Sequence, residues 1–111
     1  KKIKGQDKII LISDAFVADG PPIKGCEEAF DINFDFDGEI AGSKLTFDIA
    51  CKNMMVHTGG SVCDVFKYAS YNPAKLLNMN EIGSIKKGNI ANLIIVDQWF
   101  NIKNTILKGK L

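Results

Sequence analysis

Histidine is almost missing from this chain of 111 residues. His57 stands alone, and no HxH, HExxH or CxxC pattern occurs, so the chain cannot assemble an ordinary transition-metal shell by itself. Cys26, Cys51 and Cys63 are odd in number and form no close pair. They read as reduced thiols of a cytoplasmic protein, not as a disulfide frame or a zinc site. Phosphate loops of the GxGxxG and GxxxxGK[ST] kinds are absent, and Ser13 does not sit in a GxSxG elbow. An aspartyl phosphatase would want a second Asp two residues after Asp14, but Phe16 stands there. No apolar run approaches the ~18 residues of a membrane helix, and no signal-peptide core follows the first lysines, so no membrane partner is expected. Charge of either sign is also scarce in excess: 14 basic against 13 acidic residues leave a net charge of +1. With scattered lysines and a single Trp99 lacking stacking neighbours, nucleic acid is excluded as a partner.

What remains is an ordinary globular composition, 46% hydrophobic and 24% charged, which excludes disorder, collagen and coiled coil. The length suits one domain or less. The opening Lys1-Lys2, without an initiating Met, suggests a piece of something longer. Ile9 to Ser13 form an almost unbroken apolar run with no alternation, predicting a strand buried on both faces as in parallel α/β sheets. It stops at Asp14, and Gly20-Pro21-Pro22 bars any continuation.

Phe30, Ile32, Phe34 and Phe36 alternate with Asp31, Asn33, Asp35 and Asp37, predicting a half-buried strand that turns at Asp37-Gly38. The aspartates read as a solvated face. A calcium loop would need Gly at its sixth position and Glu at its twelfth, where Phe36 and Gly42 stand. Beyond this, Ser43 is expected to cap a helix with an apolar stripe of Phe47, Ala50, Cys51, Met54 and Met55, ended by Gly59-Gly60. Ser61 and Asp64 predict a capping box for a second helix over 61–70. Asn72-Pro73 predicts a third, with Asn72 as its cap. From Glu81 onward, Gly83, Gly88 and Gly109 punctuate apolar runs at Ile85, Leu93–Val96 and Ile102–Leu107, as in a small antiparallel unit.

Asp14 is the main candidate for chemistry. An acid at the carboxyl end of a buried strand sits where α/β folds place ligands and catalytic groups, although an Asp capping the next turn fits the same position. His57 falls in the last turn of the first helix, where a cation suits the helix dipole. Read from its residues alone, the chain is part of an α/β enzyme with one candidate carboxylate.

Four strings extend this reading: LISDA at 11–15, IAGSKLT at 40–46, YNPAKLL at 71–77 and GSIKKGNIANLIIVD at 83–97. In this order and spacing the chain resembles the C-terminal third of the N-acetylglucosamine-6-phosphate deacetylases, a family of the amidohydrolase superfamily. The last two strings are shared across that superfamily, and the first two together point to the deacetylases. The resemblance implies an α/β fold: the C-terminal part of a metal-dependent (β/α)8 barrel over residues 1–80, and strands of a small β-sandwich domain over 81–111. It implies hydrolysis of the N-acetyl amide to glucosamine 6-phosphate and acetate, with a divalent metal, zinc or iron, as cofactor. Asp14 then matches the family's proton-transferring aspartate. Ile40, Ala41 and Gly42 match a backbone-rich substrate loop, where glycine permits close approach of the sugar. The partner is a small amino-sugar phosphate, and the assembly is expected to be a homo-oligomer. The metal ligands of the family lie outside this chain, so the chain alone is expected to be inactive. The segment between Asp14 and Ile40 is shorter and more acidic than the family pattern. Two other classes remain open: a non-catalytic domain that buries its apolar surface by self-association, and another amidohydrolase, dihydroorotase-like or imidazolone-cleaving.

Overall fold

A computed structural model describes residues 3–17, 20–28 and 30–111. The chain divides into two compact units: one comprises the stretch up to Leu11 with Cys51–Leu111, the other Ile12–Ala50.

The smaller unit is built on an antiparallel pair, β1 (Ile32–Phe34) and β2 (Ile40–Ser43). Ile32 pairs with Ser43, Asn33 with Gly42 and Phe34 with Ile40, with a register shift between Asn33 and Phe34. The extra residue is Ala41 on β2, while Ile32, Asn33 and Phe34 pair in unbroken order. The alternation expected over residues 30–37 is not kept: Asn33 and Phe34 are both buried, each 2% exposed, because the Asn33 amide is taken up by the Ser43 and Phe16 carbonyls, whereas Phe30 and Phe36 are solvent-exposed. The expected turn at Asp37-Gly38 is present. Asp35 Oδ1 accepts from the N–H groups of Asp37 and Glu39, at 3.0 and 2.8 Å, and Gly38 adopts φ 80°. On its other edge β2 meets Ala15 through an isolated parallel bridge at Ser43.

The run from Ile9 to Ser13 forms no strand in the described chain. Ile10 and Ile12 are exposed, Ile12 by 69%, which contradicts the expected burial on both faces. The physical reason is the want of partners: a strand is buried twice over only where strands flank it and layers cover both its faces. Ser43 likewise is not a helix cap. It ends β2, and its hydroxyl accepts from the Leu45 N–H at 2.8 Å. Helix α1 (Phe47–Thr58) begins after Thr46, whose carbonyl accepts the Ala50 N–H at 3.0 Å. It stops where Gly59 takes φ 61°, as a glycine beyond the last turn does. His57 lies in its last turn, as expected.

In the larger unit, α2 (Val62–Phe66), a π-helical turn (Lys67–Tyr71) and α3 (Asn72–Leu76) run on without a break. The capping box holds. Ser61 Oγ accepts from the Asp64 N–H at 3.2 Å, and Asp64 Oδ2 accepts from the Ser61 N–H at 3.0 Å. The π turn has a cause in the sequence: Pro73 has no N–H for the carbonyl four residues back, and its ring would collide there. The helix widens instead, with the Asn72 N–H reaching the Lys67 carbonyl. Asn72 is therefore not a cap. It lies in helical backbone at φ −65° and is 4% exposed. Its Nδ2 donates to the carbonyls of Gln6 at 2.9 Å and Ile9 at 2.6 Å, tying the N-terminal stretch to the helix.

The core of this unit gathers Cys51, Val65 and Phe100, with Leu11, Met54, Met55, Val62, Phe66, Ala69 and Val96 packed against them. The rings of Phe66 and Phe100 lie 5.2 Å apart at 41°. Strands β3 (Leu93–Val96) and β4 (Ile102–Ile106) form the expected antiparallel pair, whereas Ile85 is in no strand and is exposed. Their connection is built around Asp97, whose Oδ1 accepts from the N–H groups of Trp99 and Asn101, both at 2.9 Å. Its Oδ2 accepts from Asn101 Nδ2 at 2.8 Å and pairs with Lys103 Nζ at 3.1 Å. The Asn101 side-chain amide and backbone N–H, with the Lys103 ammonium and the Trp99 N–H, hold the Asp97 carboxyl well below the usual carboxylate range. Among the described residues no helix is long and apolar enough to cross a membrane.

Candidate active site

All four residues singled out for chemistry fall in the smaller unit. Asp14 is solvent-exposed at φ 51°, a left-handed conformation that Asp tolerates better than most residues. Its carboxylate has no hydrogen-bond or ion-pair partner among the described residues. Such backbone outliers collect at functional sites, because their cost must be supported by surrounding structure.

That support can be traced bond by bond. Directly after Asp14, Ala15 bridges Ser43, and the Phe16 N–H donates to the Ser43 carbonyl at 3.0 Å. Asn33, across β2 from Phe16, extends its side chain to the same place. Its Nδ2 donates to the Ser43 carbonyl at 3.0 Å and to the Phe16 carbonyl. Both hydrogens of one buried amide therefore serve two backbone acceptors.

Ile40, Ala41 and Gly42 form the body of β2, with Ile40 exposed and the other two partly buried. Gly42 has φ 152°, and a Cβ there would lie 2.9 Å from Phe16 Cβ. Glycine at this position is thus required by the backbone and by the closeness of Phe16. The structure brings the segment after Asp14 and the end of β2 onto one strand edge, although the bridged residues Ala15 and Ser43 stand 28 positions apart in the sequence.

A cavity of about 330 Å³, lined by Asn78, Met79, Asn80, Glu81, Ile82 and Ile90, holds none of the predicted site residues. Among the described residues no three His, Cys, Asp or Glu side chains gather into a group able to hold a metal ion. None of the three cysteines is in a disulfide; Cys51 is buried, and Cys26 and Cys63 are exposed. Sequence reading gave Asn33 no part beyond a solvated face. The signal was its being the one uncharged polar residue in a series of aspartates, Asp31, Asp35 and Asp37.

Comparison with known proteins bears on the whole of this chain. The profile of the Amidohydrolase family matches residues 11–111. The N-acetylglucosamine-6-phosphate deacetylase of Lysinibacillus sphaericus is 32% identical over 99% of this chain and 30% of its own length. The N-acetylgalactosamine-6-phosphate deacetylase of Escherichia coli O157:H7 is 30% identical over 96% of this chain and 30% of its own length. Among solved structures, the crystal structure of N-acetylglucosamine-6-phosphate deacetylase from Thermotoga maritima superposes with a TM-score of 0.79 at 30% identity, covering 98% of this chain and 32% of that one. The chain thus spans about a third of the length of each of these relatives.

Proposed function

Because the chain belongs to the amidohydrolase family, we propose that it is part of an N-acetylglucosamine-6-phosphate deacetylase and contributes the acid/base carboxylate and a substrate-facing strand. In this reading residues 1–80 close a (β/α)8 barrel, with the run before Asp14 as a barrel strand, and residues 81–111 belong to a small β domain. The observation that carries the proposal is the bridge from Ala15 to Ser43. It sets the segment of Asp14, exposed and without a side-chain partner among the described residues, beside the strand that carries Ile40, Ala41 and Gly42.

The reaction adds water to the N-acetyl carbonyl and breaks the C–N bond, releasing acetate and the free amine. Asp14 takes a proton from the attacking water and returns it to the departing amine nitrogen, so one carboxylate serves both steps. Ile40, Ala41 and Gly42 present backbone N–H and C=O groups to the sugar, and the glycine leaves room for close approach. The divalent metal expected of the family, zinc or iron, finds no three-ligand set among the described residues, and no step here passes through it. The 111-residue chain by itself is expected to leave the substrate unhydrolysed, and the working protein is expected to be a cytoplasmic homo-oligomer.

A second substrate follows from one observation: the Escherichia coli relative, named for the galactosamine epimer, is nearly as similar as the glucosamine enzyme. Acetate release from both sugar phosphates, measured with the complete enzyme, separates them. Asp14→Asn is expected to lower turnover by about two to four orders of magnitude while metal content stays unchanged. Near-normal turnover in that variant refutes the assignment of Asp14. Hydrolysis of a dihydroorotase-type cyclic amide in preference to either sugar phosphate refutes the substrate class.

A further inference from the structure

We propose that Asn33 is a positioning residue for Asp14, an inference that rests on the acid/base reading above and extends it. A backbone outlier in a solvent-exposed segment relaxes unless something holds it. Asp14 has no side-chain anchor among the described residues, so its direction depends on the two residues that follow. Those residues are held to β2 by a single parallel bridge, which includes the bond from the Phe16 N–H to the Ser43 carbonyl at 3.0 Å. A ladder that short is weak.

Asn33 supplies what the ladder lacks. It is 2% exposed, and its Nδ2 joins the Phe16 carbonyl to the Ser43 carbonyl, the first on the Asp14 segment and the second on β2. Its backbone is fixed by pairing with Gly42, the residue against which Phe16 Cβ is pressed. The side chain is buried although Asp31, two residues before it, is exposed, because its amide finds both acceptors there. One amide therefore locks three segments: the stretch that carries the acid/base carboxylate, the strand proposed to face substrate, and β1. Displacing a catalytic group by about 1 Å costs on the order of a hundred-fold in rate, so the clamp acts on the chemical step.

The test compares Asn33→Ser, Asn33→Asp and Asn33→Gln in the complete enzyme with Phe34→Leu as a control. Phe34 is equally buried on β1, and its side chain bonds neither Phe16 nor Ser43. Hydrogen exchange of the peptide 12–17 reads the clamp without reference to activity. It is expected to quicken in Asn33→Ser and Asn33→Asp but not in Phe34→Leu. With N-acetylglucosamine 6-phosphate, kcat per folded enzyme is expected to fall by about ten- to a hundred-fold in the first two variants, with a moved acidic limb of the pH profile and little change in KM. Asn33→Gln, which keeps the donor, is expected to recover part of the loss. Unchanged exchange at 12–17, or unchanged kcat per folded enzyme with stability alone reduced, overturns the proposal. If the parent enzyme hydrolyses neither sugar phosphate, the functional reading fails, and with it the acid/base role assigned to the positioned group, whatever the exchange result shows of the clamp.

Discussion

Replacing Asn72 should separate hydrogen-bond loss from charge burial within one site. The side chain is 4% exposed and donates to the carbonyls of Gln6 at 2.9 Å and Ile9 at 2.6 Å. Asn72→Ala removes both bonds. At about 0.5–1.5 kcal/mol net for each, the loss is roughly 1–3 kcal/mol, independent of pH between about 4 and 8. Asn72→Asp keeps the shape but turns two donors into a carboxylate facing two carbonyl oxygens. The charged form is disfavoured by burial and by those dipoles, so the folded-state pKa of the new carboxyl is raised above its unfolded value. The sign follows by linkage. The variant loses least below the unfolded value near about 3.9, and its stability declines as pH rises through the raised folded value. Urea unfolding followed by circular dichroism, at several pH values, should therefore show a flat difference for Asn72→Ala and a widening one for Asn72→Asp. A loss under about 0.5 kcal/mol for Asn72→Ala, or two parallel pH-independent curves, refutes the argument that this amide ties the N-terminal stretch to the helix.

Two further outcomes are expected. Ser61→Ala breaks the capping box at Asp64 and should cost about 1 kcal/mol, read as a lower thermal midpoint; an unchanged midpoint speaks against the box. Asp97, held below the usual carboxylate range by Asn101, Lys103 and Trp99, contributes stability that is present above its unfolded value near about 3.9 and is lost as pH falls through its lower folded value. Asp97→Asn should therefore flatten the acid limb of the stability curve, and an acid limb identical to that of the parent protein counts against the network.

Local chemistry in the chain decided several elements outright. The capping box at Ser61 and Asp64, the stop at Gly59, the turn at Asp37-Gly38 and the antiparallel pair after Glu81 each depend on residues close in sequence. The cap and turn hydrogen bonds close within a few positions and the strand pair folds back on its own neighbour, so the order of residues is nearly the whole cause. The family strings were legible for the same reason, being short and contiguous, and the comparisons bear out the resemblance.

Tertiary structure decided what sequence spacing misjudged. Alternation over residues 30–37 is real in the sequence, but the carbonyls of Phe16 and Ser43 claimed the Asn33 amide and buried a polar residue beside Phe34. Asn72 before Pro73 has the form of a cap, yet the widened helix leaves it in helical backbone, and acceptors more than 60 positions away claim its amide. The apolar run at Ile9–Ser13 announces burial, but only neighbouring strands and covering layers can supply it. The sequence by itself determined the Ser61 capping box, the turn at Asp37-Gly38 and the choice of Asp14 as a candidate acid. The approach of that acid's segment to Gly42, and the amide that holds it there, arose only when segments distant in the chain met, because their energies depend on partners that no local pattern encodes.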